Sequence, residues 1–280
     1  HRLNFHYVDG PDRLLEPMIR KGDKHEVVRW RDVFELLPKH ILGSARKETA
    51  IVASARMTNE ELYLVKRLAD LLEIDMVDVV PREGEADDYL ISADQNPNTE
   101  GAKVVLGLDK PGSKLSKIRG ALEAGDLKTL LVFGEDLTAE AGFSRESLNK
   151  VDFLLCMHTL ANPTADAATV VMPSATAFEK RGSMINVTGR LQRLNQAVDL
   201  PGQARDDWEL LRDLTQEVTG SNGVHGVDDV FRMMASAVKE FEGLTWSKIG
   251  DQGLPLLETG VKIPLLEKEA ERKAKGLIVG

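Results

Sequence analysis

The sequence predicts an α/β protein built from Rossmann-like, largely parallel sheets flanked by helices. Short apolar runs alternate with segments of helical periodicity along most of the 280 residues, a pattern typical of a parallel sheet. A strand–helix–strand unit at residues 49–80 favours parallel pairing through a right-handed crossover. The hydrophobic share of 42% and the charged share of 29% are ordinary for a globular protein with its own core.

The first elements are a short β-type run at residues 26–30, a helical pattern after it, and a compact apolar strand at residues 49–54. Thr58 and Glu61 then have the spacing of a capping box, in which each side chain accepts a hydrogen bond from the other residue's backbone N–H. Apolar residues recur at helical spacing after this cap, at Leu62, Val65, Leu68, Ala69 and Leu72. The sequence therefore predicts a helix with one buried face.

The middle of the chain contains weaker signals. A strand at residues 75–80 ends at a proline, and an acidic loop follows at residues 81–88. Residues 89–91 (YLI) predict a brief strand, and residues 94–101 predict a polar turn. Ser113 can cap the next helix, and Gly125 is the glycine expected just after its end.

Three more apolar runs predict buried strands, at residues 129–133, 153–157 and 169–172. Asp206 or Asp207 then caps a helix that ends at Gly220 and carries one apolar stripe. Asp228 begins another helix. The tail from Thr245 is punctuated by Gly and Pro and then highly charged, so it is expected to be peripheral.

Net charge and hydropathy exclude two classes of partner. The chain has 36 Lys and Arg against 45 Asp and Glu, a formal charge of −9, which argues against nucleic-acid binding. The longest run without a charge, residues 153–165, is too short and too interrupted to insert into a membrane. The start is too charged for a signal peptide. Because the chain begins at His1 without Met, we expect a piece of a longer polypeptide or a trimmed one.

The single cysteine, Cys156, excludes a disulfide framework, a thiolate zinc site and an all-cysteine iron–sulfur cluster made by this chain alone. It lies in an apolar strand, where a buried small hydrophobe is the favoured interpretation. A thiol nucleophile with His158 as its base and Asp152 or Asp166 as a partner is the alternative. No elbow or oxyanion motif supports that alternative.

Other polar residues give weaker signals. His25 and His40 are interpreted as surface histidines, because no metal-ligand spacing surrounds them. The acidic residues of the loop at 81–88 lack the complete pattern of a calcium loop, which favours a solvated loop over a cation site. These acidic residues are Glu83, Glu85, Asp87 and Asp88.

The most informative segment is residues 179–192, which combines two glycines with basic and amide side chains. Glycine permits a close backbone approach or a positive φ, and Arg and Asn can hold a phosphate or a polycyclic ligand bearing amides. The candidate cofactor-binding residues are Glu179, Gly182, Asn186, Gly189 and Arg190. The alternative is an Arg-flanked surface hairpin or turn that binds no ligand.

Residues 165–193 (ADAATVVMPSATAFEKRGSMINVTGRLQR) and 202–211 (GQARDDWELL) resemble the molybdopterin oxidoreductase superfamily. That family shows a pattern like TAxxADVVLP, then ExxGTxxNxEGRxQ, then GxAxxDW. Within the family the closest resemblance is to the molybdopterin-like peripheral-arm subunit of NADH:quinone oxidoreductase, respiratory complex I. Residues 12–30, 53–70 and 93–108 resemble other stretches of that complex I subunit.

The resemblance implies a reduced molybdopterin-oxidoreductase-like domain at residues 31–244, which can divide into two lobes near residues 81–112. Residues 1–30 lead into this domain, and residues 245–280 form the peripheral tail. Ferredoxin-like cluster domains precede the matching region in the complex I subunit. We therefore expect cluster-binding cysteines upstream of His1, and no cluster ligand at His1 or His6.

Departures from the family pattern limit what the resemblance implies. Members that use molybdenum supply a Cys, selenocysteine, Ser or Asp ligand in a segment without a counterpart here. The chain also passes directly from residues 49–80 to residues 85–101, as if a middle domain were deleted. Ser183 stands where the pattern has Thr, and Thr188 stands where it has Glu.

We therefore expect a non-catalytic structural part of an electron-transfer subunit in an NADH-dehydrogenase (complex I-type) peripheral arm. It would have no catalytic residue, no metal ligand and no cofactor of its own. Iron–sulfur clusters are expected upstream or in partner subunits of that arm, on the cytoplasmic side of the inner membrane.

Two alternatives stay open. One is an active bis-pterin molybdenum or tungsten oxidoreductase of the formate dehydrogenase type, in which the candidate residues of 179–192 contact the cofactor. The other is a standalone α/β binding domain. Fold alone does not separate them, because function lies in the site.

Overall fold

The computed structural model describes residues 5–87 and 89–276. Two of the residues discussed above, His1 and Asp88, lie outside them. In the described part, the strands are β1 (Met18–Lys21), β2 (Lys24–Val27), β3 (Thr49–Ser54), β4 (Met76–Val80), β5 (Thr129–Phe133), β6 (Phe153–His158), β7 (Val170–Pro173), β8 (Gly182–Ile185), β9 (Arg190–Leu194) and β10 (Leu254–Pro255).

The helices of the same part are α1 (Trp30–Ile41), α2 (Asn59–Leu71), α3 (Thr99–Leu106), α4 (Leu115–Ala124), α5 (Leu137–Glu140), α6 (Arg145–Leu148), α7 (Pro163–Ala167), α8 (Asp207–Thr219), α9 (Val227–Ala237), α10 (Trp246–Ile249) and α11 (Pro264–Ala274). None of them is long and apolar enough to cross a membrane.

The larger sheet has the strand order β2-β1-β7-β6-β5-β3-β4. Strands β3 to β7 run parallel, and the β1–β2 hairpin joins the β7 edge antiparallel. The mostly parallel sheet between helices confirms the predicted α/β class. The assignment of residues 1–30, 31–244 and 245–280 to separate segments stays a prediction, although β1 and β2 belong to the main sheet.

The apolar runs became strands because both faces of the sheet are covered. Ile51 and Leu131 belong to a core on one side, with α1, α2, α8 and α9, whereas Val52 and Leu130 belong to a core on the other side, with α4 and α7. All six residues of β3 are buried. Continuous apolar sequence is what a parallel strand covered on both faces requires.

The second sheet has the order β10-β9-β8 and is antiparallel. Strands β8 and β9 form a hairpin whose turn is residues 186–189. The hairpin named in the alternative interpretation of residues 179–192 is therefore present, at residues 182–194, but its strand β8 is mostly buried and not on the surface. The tail supplies β10, and it also buries Ile249 and Ile263, whereas no residue of α11 is buried.

Two local helix signals in the sequence are confirmed. The Thr58 hydroxyl accepts a hydrogen bond from Glu61 N at 3.3 Å, and the Glu61 carboxylate accepts one from Thr58 N at 2.8 Å. At the other helix, Asp206 occupies the N-cap position of α8, but its side chain accepts no capping hydrogen bond, so only the position is as predicted. Gly220 follows the end of α8 with φ of 72°.

Other local predictions were wrong. Residues 89–91 form no strand, because the Asp87 carboxylate accepts hydrogen bonds from three successive backbone N–H groups there and bends the chain. The segment at residues 94–101 already contains the first turn of α3. The N-cap of α4 is Lys114, one residue after Ser113.

The two histidines interpreted as surface residues are half-buried. The His40 ring stacks on Phe153 with ring centroids 4.7 Å apart. His25 Nε2 lies 2.8 Å from the Ala168 carbonyl oxygen. The residues that His25 and His40 contact are distant from them in sequence, so the spacing of nearby residues did not indicate that the two rings are half-buried.

Candidate functional site

A crevice of about 570 Å³ lies at the carboxyl ends of the parallel strands. Strand β4 lies beside β3 at one edge of the sheet, and the next strand, β5, lies on the opposite side of β3. The direction in which strands are added therefore reverses between β3 and β5. Ligands of open α/β sheets bind at such a switch point. Residues at or just after the ends of four strands line the crevice: Ser54, Gly134, His158 and Ser174.

Arg56 and His158 supply two of the nitrogen donors of this crevice. Arg56 Nη2 donates to the Gly134 carbonyl oxygen at 2.9 Å and contacts the buried Glu135 carboxylate at 3.4 Å. The Arg56 side chain remains about half exposed. Burial, and secondarily the Arg56 charge, lower the pKa of His158 to about 4. The imidazole is therefore neutral at physiological pH.

The Leu160 backbone contacts one nitrogen of the His158 ring. Nδ1 lies 2.9 Å from both Leu160 N and the Leu160 carbonyl oxygen, so it accepts from the first in the Nε2–H tautomer and donates to the second in the Nδ1–H tautomer. A neutral ring of this kind donates one hydrogen bond.

Glu179 stabilises the crevice wall formed by the loop after β7. Its carboxylate accepts hydrogen bonds from Arg13 Nη2 at 2.5 Å and from Thr176 N at 2.7 Å. Arg13 also donates to the carbonyl oxygens of Thr159 and Ser174, in the loops that follow β6 and β7. The Thr176 hydroxyl, by contrast, is buried in the crevice wall without a hydrogen-bond partner.

Lys180 lies at the crevice floor among three carboxylates. Its ammonium is 3.1 Å from Glu61 and 3.4 Å from Asp207. Burial lowers the pKa of Lys180, but attraction to Asp207 and Glu61 outweighs this and raises it above its ordinary value. Burial raises the pKa of Glu61 to about 7 and that of Asp206 to about 8. One ammonium does not compensate three buried carboxylates.

Gly182 and Ser183 attach the hairpin to the start of α2. A Cβ on Gly182 would lie 2.5 Å from Thr58 Cγ2, so only glycine fits against this helix cap. Ser183 donates from its N and its hydroxyl to Glu60, both at 2.7 Å. Because Ser183 is completely buried in this contact, the serine at the family's Thr position faces the protein and not the crevice.

Asn186, Gly189 and Arg190 shape the hairpin turn and hold the tail. The Asn186 carboxamide oxygen accepts hydrogen bonds from Thr188 N and Arg190 N. Gly189 has φ of 81°, and a Cβ there would lie 2.1 Å from the Leu257 carbonyl oxygen. Arg190 Nη1 donates to the carbonyl oxygens of Gln252 and Gly253.

The five candidate residues therefore divide into two groups. Glu179 stabilises the crevice wall, and Gly182 joins the hairpin to α2. Asn186 stabilises the hairpin turn, and Gly189 and Arg190 contact the tail. Sequence reasoning missed Arg56, His158, Thr176 and Lys180 as crevice residues. The positions just after strand ends were the available signal for the first three.

Cys156 and His158 do not form a nucleophile and its base. Burial raises the pKa of the Cys156 thiol above its ordinary range, and its side chain belongs to the core behind the sheet. Asp152 and Asp166 are exposed and lie within 4.0 Å of Lys128 and Arg145 respectively. The prediction of a buried hydrophobe at Cys156 is confirmed.

A second cavity of about 640 Å³ lies beside the acidic loop. Its wall combines that loop with the hairpin tip at Val187 and the tail at residues 261–264. The Asp87 carboxylate is engaged by backbone N–H groups, which also hold its pKa below the usual range. Asp87 is thus part of the turn.

The chain is similar to a known family and to a solved structure. The family model for molybdopterin oxidoreductase matches residues 13–100 and 93–217. The fold is also similar to that of acetylene hydratase from Pelobacter acetylenicus, with a TM-score of 0.53 and 10% identity over 90% of this chain and 67% of that one. At this identity the structural likeness concerns the fold alone.

Two relatives are subunits of named oxidoreductases. The alpha subunit of F420-dependent formate dehydrogenase 2 from Methanococcus maripaludis is 30% identical over 164 residues, which cover 55% of this chain and 24% of that subunit. The alpha subunit of the NADPH-Fe(3+) oxidoreductase from Geobacter sulfurreducens is 33% identical over 133 residues, 46% of this chain and 16% of that subunit. The matched parts are thus about a quarter of these relatives or less. With most of its length matched by the family model, the chain belongs to the molybdopterin oxidoreductase family.

Proposed function

We propose that this chain forms one wall of the cofactor crevice in the large subunit of a molybdopterin-family oxidoreductase, of the type represented by formate dehydrogenase alpha subunits. The observation that carries the proposal is the crevice itself, which lies at the switch point of the sheet and contains the unpartnered Thr176 hydroxyl. Matches to alpha subunits of two oxidoreductases support partner subunits for the whole protein.

The crevice residues suit the organic part of a pterin cofactor. A volume of about 570 Å³ lies within the roughly 300–1,000 Å³ of small-molecule sites. Arg56, the His158 ring in its Nε2–H tautomer and the Thr176 hydroxyl are donors for the oxygen atoms of amide or phosphate groups. A buried hydroxyl without a partner is costly, and a ligand acceptor would remove that cost.

The same crevice provides no thiolate for a metal. Cys156 points into the opposite core and is completely buried. The segment that carries the Cys, selenocysteine, Ser or Asp ligand in other members also has no counterpart here, and we therefore assign the metal-binding residue to another part of the whole protein. When bound, a molybdenum or tungsten pterin supplies two-electron redox chemistry. The residues of this chain bind and orient its organic part and exclude water from the crevice wall.

A second candidate is the cofactor-free scaffold of a complex I-type peripheral arm, with iron–sulfur clusters in neighbouring domains or subunits. The specific observation in its favour is that all five candidate residues at 179–192 already have contacts within the chain. Asn186 and Arg190 of the hairpin are hydrogen-bonded without a ligand, whereas Glu179 Oε1 is buried without a partner. Complex I membership would make the chain a structural support of electron transfer.

Analysis of the full-length protein, purified from a host that makes pterin cofactors, separates the two candidates. We expect about one released pterin or more per chain, with molybdenum or tungsten. Ala177→Trp, at an exposed position of the crevice wall, should lower the pterin content at least tenfold. The control Ala237→Trp, at the exposed end of α9, should leave it unchanged. A wild-type protein with iron but no pterin would overturn the first candidate and favour the second.

A further inference from the structure

Beneath the crevice, three buried carboxylates converge from two helices. Glu61 comes from the first turn of α2, whereas Asp206 and Asp207 come from the N-terminus of α8. Their exposed fractions are 0%, 9% and 2%. One oxygen of each lies within 4.8 Å of the others.

Lys180 satisfies only part of this cluster. Its ammonium contacts Glu61 Oε2 and Asp207 Oδ2, and these atoms also accept hydrogen bonds from Thr58 N and Ala175 N. Glu61 Oε1 and Asp206 Oδ1 are buried and accept no hydrogen bond. A buried carboxylate oxygen without a partner is strongly unfavourable. These two atoms therefore point to a missing positive ligand.

Charge counting gives the valence of that ligand. Burial raises the pKa values of Glu61 and Asp206, so these groups ionise fully only when a positive ligand is bound. With all three carboxylates ionised, the cluster and the one ammonium carry a net charge of −2. The adjacent Arg13 and Glu179 form a pair that is neutral by itself, so they do not alter this count. A divalent cation would neutralise the cluster, whereas a monovalent cation would leave it negative.

Ligand type gives its class. Carboxylate oxygens are ligands of hard cations such as calcium and magnesium. One oxygen of each carboxylate lies within 4.8 Å of the others, close enough for one such cation to contact all three. Calcium accepts irregular coordination more readily than magnesium, which requires a nearly ideal octahedron.

We propose that Glu61, Asp206 and Asp207 bind one hard divalent cation beneath the crevice, next to Lys180. Glu61 Oε1 and Asp206 Oδ1 are its primary ligands, and Asp207 supplies the third. Asp207 also lines the crevice, through which water reaches the remaining coordination positions. The cation joins α2, α8 and the segment before β8. This site is independent of whether a pterin binds.

Titration calorimetry on the full chain, first freed of metal by a chelator, tests the proposal. We expect one calcium per chain, a higher melting temperature with calcium, and at least tenfold weaker binding of magnesium. The near-isosteric changes Glu61→Gln and Asp206→Asn should each weaken calcium binding at least tenfold. Asp23→Asn, at an exposed carboxylate in the β1–β2 turn, is the matched control and should bind as wild type does.

Lys180→Met provides a test if the two carboxamide variants fail to fold. Removing the ammonium makes the cluster more negative, so this variant should gain more melting temperature from calcium than the wild type does. The proposal is overturned if the wild type shows neither binding heat nor a melting shift. It is also overturned if Glu61→Gln and Asp206→Asn fold and bind calcium as tightly as Asp23→Asn.

Discussion

The backbone of Gly182 lies directly on the Thr58 side chain, so close that a Cβ on the glycine would be 2.5 Å from Thr58 Cγ2. The start of the hairpin is therefore fixed on the N-terminal cap of α2, beside the carboxylates of Glu60 and Glu61. This contact couples the smaller sheet to the end of the larger one, where the crevice lies.

We expect Gly182→Ala to destabilise the protein by about 1–3 kcal/mol, the usual cost of inserting a group into a packed site. The measurement is the free energy of unfolding from chemical denaturation. Gly120→Ala is the matched control, because Gly120 lies within α4 and a Cβ there meets nothing within 4 Å. That control should stabilise the protein by about 0.5–1 kcal/mol. Equal effects of the two variants would contradict the packing argument.

Glu179→Gln should destabilise the protein by about 3 kcal/mol, because it leaves the Arg13 charge buried without its counter-ion. Both side chains are 2% exposed or less. Denaturation midpoints at neutral pH provide the measurement. Glu26→Gln, which breaks the exposed pair with Lys21, should cost less than about 1 kcal/mol. A cost for Glu179→Gln no larger than this control would show that the buried pair contributes little.

Arg190→Ala should release the tail from the hairpin while leaving the main sheet folded. Its guanidinium donates to two backbone carbonyls of residues 252–253, and alanine cannot replace these bonds. Hydrogen exchange at residues 250–257 should become at least several-fold faster. Arg193→Ala removes a single ion pair whose carboxylate, on Asp251, is 91% exposed, and should change exchange much less. Equal exchange rates at residues 250–257 in both variants would show that Arg190 does not hold the tail on the hairpin.

In the whole protein the same Arg190→Ala change should lower assembly with partner subunits more than turnover per assembled complex. Native gel electrophoresis and activity per assembled complex measure the two quantities separately. Intact assembly with abolished turnover would instead place Arg190 at the reacting centre.

Acid should destabilise the fold through His158. Its pKa is about 4 in the folded protein, against an ordinary value of 6.5, so the unfolded chain binds a proton between these values while the native chain does not. The contribution of His158 to stability is therefore complete above about pH 6.5 and falls as the pH drops toward 4, by at most about 3 kcal/mol. The raised pKa values of Glu61 and Asp206 act in the opposite direction in this range, so His158 is isolated by comparing variants. The difference in unfolding free energy between the wild type and His158→Asn should change between pH 6.5 and 4. An unchanged difference would contradict burial of a neutral ring.

The strands and the cap of α2 could be predicted because their causes are local. The apolar runs at residues 49–54 and 129–133 indicate buried strands, and the Thr58–Glu61 spacing indicates a helix start. The carboxylate cluster could not be predicted, because Glu61 and Asp206 are far apart in sequence and meet only through the packing of α2 on α8. The crevice donors were missed for the same reason. Arg56 follows β3 and His158 ends β6, and the two residues lie at the same crevice only because of the order of the strands in the sheet.

The pairing of β10 with β9 has a consequence for how the molecule is made. A ribosome adding roughly 5–20 residues per second needs about 3–12 s for the sixty residues from Leu194 to Leu254. During that interval the outer side of β9 has no hydrogen-bonding neighbour from its own chain. A nascent hairpin in this state is open to pairing with strands of other polypeptides. Translation speed between these two residues, or a chaperone that shields β9, should therefore influence the yield of correctly folded protein.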